Sequence, residues 1–471
     1  MGRLKHYEQQ EVLDLDYQGY GIVKPDGRVV FVEGVLPGEI VDVRVTRRRK
    51  NVSFGVPTTI HRRSELRTAP FCAHFGECGG CTWQYLGYPD QLRYKERFVA
   101  EVLERLGGVT DPRPLPIIGC ERDRFYRNKL DFSFSPTRWL SSEEIDRGED
   151  ISDRRALGFH VKGRYDRVLD VGTCYLQPDP SNAIRTQARR IARNHSYSFH
   201  DPERHEGLLR GLIVRTTETD EVMVILVIHE ERPDLAATFL TELAGAVPEI
   251  TSAHYIVNPS RNDDLGPHQA HHVLGTNVIH ERCAALRLAI HPKSFYQTNS
   301  RQAERLYTVV REWLDAAASD ILLDLYCGIG SIGLFIADRV GRVVGVEYVE
   351  EAVAGARLNA QLNDIPNAEF HAGDVRELLA AAGRAGSPIG RPDLVVLDPP
   401  RAGVHPQVIG ELIRLAPRQI IYVSCKPSTQ ARDLAALSGH YAVERVQPVD
   451  MFPQTFHIEC VADLRRRAGV T

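Results

Sequence analysis

Apolar and polar positions change their rhythm twice along the chain. From about residue 8 to 60 they alternate in short runs broken by turn signals: EVLDLDYQGYGIVK, then Pro25-Asp26-Gly27, RVVFVEG, Leu36-Pro37-Gly38 and EIVDVRVT. Alternation with glycine and proline corners predicts about five short strands, a small all-β module of the OB type. From about 65 to 290 the pattern is mixed. A helical stretch near Pro89 to Leu106 and alternating segments such as NKLDFSFS and GLIVRTTETDEVMVILVIH predict an α+β domain with antiparallel strands. After about 291 the rhythm becomes strand, loop, helix: ILLDLY, a glycine loop, IGLFIAD, RVVGVE, EAVAGARLNAQLN, AEFHAGD, VRELLAAAG, LVVLDPP and QIIYVSC. That order predicts a parallel α/β sheet, whose ligands gather at the carboxyl ends of the strands. The expected division is therefore 1–64, 65–290 and 291–471, with the helix at about 89–107 able to pack on the last part.

Composition narrows the class. A length of 471 residues with 43% hydrophobic and 25% charged residues is that of a globular protein of about two to four domains. No apolar run approaches the roughly 18 residues of a membrane span, and MGRLKHYEQQEVLDLD lacks the apolar core of a secretory signal. A cytoplasmic location is expected, where nine cysteines point to metal binding or catalysis rather than a disulfide framework. The net charge of −4 hides a local basic excess. Arg47, Arg48, Arg49, Lys50, Arg62 and Arg63 stand against Glu65 alone, enough to neutralise phosphates, although a solvated charge cluster reads the same way. An acidic loop lies at Ser141 to Asp153.

The glycine loop Asp324-Leu325-Tyr326-Cys327-Gly328-Ile329-Gly330-Ser331-Ile332-Gly333 joins a strand to a helix. Its glycine spacing alone also admits NAD, or only a tight turn. Glu347 closes the next strand, where a carboxylate accepts both hydroxyls of a ribose, and Asp374 ends the third. This order of carboxylates resembles the class I S-adenosylmethionine methyltransferases, with their Rossmann-like fold. The resemblance implies that Tyr326 and the loop line the methionine part, that Glu347 binds the ribose and that Asp374 lies near adenine.

Two further strand ends supply Asp398-Pro399-Pro400-Arg401 and Ser424-Cys425-Lys426-Pro427. The prolines stop the strands and leave the preceding side chains at the rim. Asp-Pro-Pro is similar to the motif of amino-methyltransferases, but an exocyclic amine needs no covalent help. Carbon 5 of uracil does: a thiolate must add to carbon 6 to make carbon 5 nucleophilic, and a base must then remove the carbon 5 proton. Cys425 is the candidate nucleophile, with Lys426 or Arg401 favouring its thiolate. Glu459 is the candidate base, and His457 its rival.

SFYQTN (Ser294 to Asn299), DLYCGIGS, DPPR, YVSCKP and PQTFHIE occur in this order. Together they resemble the bacterial uracil-C5 RNA methyltransferase family that includes 23S ribosomal RNA and tRNA enzymes. The resemblance implies cofactor contacts from Gln297, Tyr326, Ser331, Glu347, Asp374 and Asp398, with Cys425 as nucleophile and Glu459 as base. Ser331 and Lys426 depart from the residues usual there.

Cys72, Cys78 and Cys81 in FCAHFGECGGC point to a metal or another reason for three thiols so close, with distant Cys174 a candidate fourth ligand; zinc with His74 is the competing reading. The resemblance implies a [4Fe-4S] cluster, and it makes the N-terminal barrel a TRAM domain for RNA binding. It also makes 23S ribosomal RNA the leading partner, with tRNA as the alternative. Tyr126, Arg127, Asn128 and Lys129 are candidate RNA contacts beside Arg47, Arg48 and Arg49. A noncatalytic RNA-binding protein with a methyltransferase shell, or an N-methyltransferase, are the competing functions. No obligate protein partner and a monomer are expected.

Overall fold

The computed structural model describes residues 5–49, 52–148 and 152–469. Lys50 of the basic run and 149–151 of the acidic loop lie outside them. The N-terminal strands form a six-stranded sheet, one strand more than the turn signals predict, because Asp14–Leu15 pairs separately with Gly21–Val23. Its core is small and valine-rich, from Val12, Val23, Val30, Val32, Val41 and Val43.

The central eight-stranded sheet carries the strand Val222–Ile228, buried at every position. The two-residue period of a strand explains how. Val222, Val224, Leu226 and Ile228 face the helices Ser181–Asn194 and Pro233–Ala246 and share their core. Met223, Ile225 and Val227 face the other way, into a core shared with Leu306, Leu322, Val423 and Val449 of the C-terminal part. Continuous apolar burial between the two parts fixes the cleft between them.

The C-terminal sheet has seven strands in the order Ala368–Ala372, Arg342–Glu347, Ile321–Leu325, Leu394–Leu397, Gln419–Ser424, Glu459–Arg466 and Tyr441–Val449. Pairing is parallel from the first of these through Gln419–Ser424, and Glu459–Arg466 then enters antiparallel. The order reverses on either side of Ile321–Leu325, the switch point at which such sheets bind ligands. Helix Tyr88–Gly107 starts with proline in its first turn and ends at Gly108 in the left-handed conformation, φ 63°. It packs on helix Pro427–Leu437 through Val99 and Leu103, which join the C-terminal core. Among the described residues no helix is long and apolar enough to cross a membrane.

Candidate active site

One cavity of about 1560 Å³ opens at the switch point, between the C-terminal sheet and the central part. It is lined by Gln297, Tyr326, Ser331, Glu347, Asp398, Cys425 and Glu459, residues spread over more than 160 positions of sequence and brought together by adjacent strand ends. The glycine loop makes its floor. Tyr326 holds a left-handed backbone at φ 62° and Gly330 one at φ 79°, so the chain turns sharply between strand and helix. A Cβ on Gly330 would lie 2.8 Å from the Phe370 ring, whereas one on Gly328 meets nothing within 4 Å. The loop therefore packs tightly on one side and leaves bare backbone to the cavity on the other.

Carboxylates surround this floor. Asp324 accepts from the Gly333 amide at 2.9 Å through Oδ2, and its buried Oδ1 has no partner among the described residues. Burial pushes it up to about 7, helped by Asp398 and Glu347. Burial also pushes Asp398 up to about 7. Glu347 accepts from the Gly328 amide at 3.2 Å and the Val349 amide at 2.9 Å. Ser331 Oγ lies 3.1 Å from the Tyr307 hydroxyl. The Gln297 carbonyl takes the Asn128 side-chain amide at 2.8 Å. Asp374 is not on the cavity wall. It caps helix Val375–Ala381 by accepting from the Arg376 amide at 2.8 Å, and the Arg376 guanidinium holds its carboxyl down at about 2.

At the other end, the strand Gln419–Ser424 delivers Cys425 and the antiparallel strand Glu459–Arg466 delivers Glu459. Ser424 pairs with Cys460, which sets the two side by side. Burial pushes the Cys425 thiol up to about 11, with Glu459 and Asp398 adding to the rise and Arg401 opposing it. Burial and Asp398 hold Glu459 well above the usual carboxylate range, again against Arg401. Its Oε2 is buried with no partner among the described residues. His457 is tied to Arg401 through Nδ1 at 2.8 Å, and burial with that cation pushes it down to about 4. Lys426 does not line the cavity; the cation at the thiol is Arg401.

Arg127 lines the cavity, its guanidinium 5.9 Å from the Phe452 ring centre. Asn128 is committed to Gln297 and Ser300, Lys129 pairs with Asp131, and Tyr126 is buried. Arg47, Arg48 and Arg49 are exposed on strand Ile40–Arg49, with Arg47 over the Phe54 ring. Sequence reasoning gave no role to Phe295, Tyr348 and Phe452 on the cavity wall; Phe295 and Tyr348 are 67% and 73% exposed, and the available signals were the place of Phe295 inside SFYQTN and that of Tyr348 next to Glu347.

Cys72, Cys78, Cys81 and Cys174 line one small cavity beside His74, which is already engaged as acceptor of the Gly172 amide at 2.8 Å. Burial pushes Cys78 up to about 12 and Cys81 to about 11, and each of the two feels the charges of Cys174 and Cys72. Among the described residues no group of three or more His, Cys, Asp or Glu is arranged to hold a metal ion.

Residues 212–467 match the family described as tRNA (uracil-5-)-methyltransferase, and residues 11–58 match the TRAM domain. The chain is 42% identical over 453 residues to an uncharacterized RNA methyltransferase of Bacteroides thetaiotaomicron, covering 96% of this chain and 99% of that one. It is 37% identical over 454 residues to another from Nitratidesulfovibrio vulgaris, covering 95% and 94%. Among solved structures it resembles the Pyrococcus abyssi tRNA (uracil-54, C5)-methyltransferase in complex with S-adenosyl-L-homocysteine, at 29% identity and a TM-score of 0.75, covering 97% and 99%.

Proposed function

The chain belongs to the tRNA (uracil-5-)-methyltransferase family, and from that premise we propose that it methylates carbon 5 of a uridine through a covalent bond from Cys425, with Glu459 as the base. It is an S-adenosylmethionine-dependent RNA methyltransferase with the class I fold and an N-terminal TRAM domain. The observation that carries the mechanism is the meeting of Cys425, Glu459, Asp398 and Arg401 on the cavity that also holds the glycine loop.

The residues fit the cofactor. A bare backbone at Gly328, an unpartnered Oδ1 on Asp324 and two carboxyls poised near 7 suit a ligand that brings positive charge. S-adenosylmethionine supplies an electrophilic methyl on a sulfonium. Gln297, Tyr326, Ser331, Glu347 and Asp398 line its place, while Asp374 stands off that wall as the cap of its helix. Arg401 opposes the rise of both Cys425 and Glu459, so it is the cation that favours thiolate and carboxylate. The Cys425 thiolate adds to carbon 6, and carbon 5 of the resulting enolate takes the methyl as the methyl–sulfur bond breaks and its electron pair stays on the sulfur, which leaves as a neutral thioether. Glu459 then removes the carbon 5 proton; the freed pair closes the C5–C6 double bond and the C6–S bond breaks, returning the thiolate. A target held in a folded RNA must leave its stack to enter this cavity.

We read 1–64 as the TRAM part, 65–290 as the central part and 291–471 as the catalytic part. Exposed Arg47, Arg48 and Arg49 suit phosphates, and Arg127 suits RNA entering the cavity. The four cysteines around one cavity support a [4Fe-4S] cluster. The favoured substrate is 23S ribosomal RNA. The full-length overlap with the Pyrococcus abyssi tRNA enzyme supports tRNA as the second reading, since this chain spans 99% of it.

RNA carrying 5-fluorouridine tests the chemistry, because fluorine blocks the last proton removal. A stable enzyme–RNA adduct that vanishes in Cys425→Ala is expected; turnover without an adduct sinks the covalent mechanism. Nucleoside mass spectrometry after incubation with unmodified ribosomal RNA and tRNA separates the substrates, since 5-methyluridine in tRNA alone overturns the ribosomal reading.

A further inference from the structure

The loop that leads into Glu459 is gripped from outside the catalytic sheet. It connects strand Tyr441–Val449 to strand Glu459–Arg466, and Gln454 sits within it. Gln454 is 3% exposed and has a left-handed backbone, φ 65°. A residue other than glycine stays in that conformation only where its surroundings over-determine it.

Here they do. The Gln454 carbonyl accepts from the backbone amides of Thr82 at 2.9 Å and Trp83 at 3.0 Å, the two residues that follow Cys81. Its own amide donates to Gln91 Oε1 at 2.9 Å, while Gln91 Nε2 donates to Gln454 Oε1 at 3.0 Å. The same Gln91 Nε2 reaches the carbonyls of Trp83 at 3.2 Å and Leu86 at 2.8 Å, so one buried side chain on helix Tyr88–Gly107 joins the end of the cysteine segment to the loop. Gln454 Nε2 donates to Asp123 Oδ2 at 3.0 Å. The Tyr126 hydroxyl donates to the Pro453 carbonyl at 3.0 Å. None of Gln454, Gln91, Thr82, Trp83 or Asp123 lines the catalytic cavity.

We propose that Gln454 is a positioning residue that, anchored by the cysteine segment and helix Tyr88–Gly107, holds Glu459 in place for the proton removal that ends the reaction. The proposal rests on the reading of Glu459 as base. In that step the carbon 5 proton passes to the Glu459 carboxylate, the C–H pair becomes the C5–C6 double bond, and the C6–S pair leaves with Cys425. Cys425 itself is set by the strand Gln419–Ser424 and helix Pro427–Leu437, on which Gln454 makes no hydrogen bond. Loosening Gln454 therefore acts on release of the methylated product before it acts on methyl transfer.

The test is a single-turnover experiment on the full chain that times methyl incorporation and product release separately, with the covalent adduct read on a denaturing gel. Gln454→Ala is expected to incorporate methyl within about twofold of wild type and to release product about ten- to a hundredfold more slowly, with methylated adduct accumulating. Asp123→Ala, at a partly exposed position, removes one anchor of Gln454 and is expected to slow release by about threefold in the same pattern. Incorporation and release falling together in both variants, or release at the wild-type rate in both, overturns the proposal. Glu459→Gln enzyme that releases methylated product from ordinary uridine RNA at the wild-type rate removes the underlying reading of the base; Glu459→Gln trapped as methylated adduct, with both the Gln454 and Asp123 variants unaffected, removes this inference alone.

Discussion

Asp324 and Asp398 are both pushed up to about 7, chiefly by burial, and this makes cofactor binding a proton-linked event. Replacing Asp324 with asparagine keeps an oxygen for the Gly333 amide, 2.9 Å away, but removes one titrating group. With a value near 7, each carboxyl is ionised about one part in ten at about pH 6 and nine parts in ten at about pH 8. A cationic ligand that needs one of them ionised gains about tenfold in affinity across that interval, and one that needs both gains about a hundredfold. Near neutrality each half-protonated group releases about half a proton on binding, about one proton in all. Titration calorimetry in buffers of different ionisation enthalpy measures both affinity and proton release. Asp324→Asn is expected to halve the logarithmic pH slope and the proton release together. An affinity for S-adenosylmethionine that stays flat with pH in the wild type, or a slope unchanged in Asp324→Asn, refutes the reasoning.

The same two groups act on folding without ligand. Their folded values lie above the unfolded ones, so these two groups bind more protons in the folded state between about pH 4 and about pH 7 and their contribution to stability falls as pH rises through that window, whereas His200, His254 and His457, pushed down to about 4, contribute in the opposite sense; the denaturant midpoint of the wild type relative to Asp324→Asn isolates one carboxyl, and a difference that grows in favour of the wild type with rising pH contradicts it. Lys95 and Asp450 form a buried pair, 1% and 0% exposed at their side chains and 2.6 Å apart, so Lys95→Met is expected to cost about 3–5 kcal/mol by urea unfolding. A Lys95→Met, Asp450→Leu double variant is expected to lose less, because no lone buried charge remains. Gly330→Ala combines a φ of 79° with a contact 2.8 Å from the Phe370 ring, and about 1–3 kcal/mol of stability together with weaker cofactor binding is expected. Arg401→Gln removes the cation opposing the rise of Cys425 and Glu459, so the acid limb of the single-turnover rate is expected to move to higher pH; an unmoved limb assigns that limb to another group.

Local chemistry is what made the catalytic strands legible. LVVLDPP and QIIYVSC each show an apolar run stopped at a polar rim, and the structure ends strands at Leu397 and Ser424 accordingly. Asp374 shows the limit of that logic. Its place after the third strand suggested the cavity, but Arg376 two residues on captured its carboxyl as a helix cap. Arg127, Asn128 and Lys129 are adjacent in sequence yet went to the cavity, to Gln297 and to Asp131, because orientation on a short connecting segment depends on what packs around it.

The sequence by itself determined the rhythm of elements, the glycine loop and the chemically distinct residues at strand ends, because backbone preference and side-chain periodicity act over a few neighbours. Tertiary structure alone decided which face of Val222–Ile228 meets the catalytic core, that Lys95 would find Asp450, and that Gln454 would be held from the cysteine segment. It also decided the ionisation of the site. Cys425, Glu459, Asp398 and Asp324 share their apolar surroundings only after chain segments more than 130 residues apart have packed together, and burial of that kind is a property of the packed molecule, not of any segment.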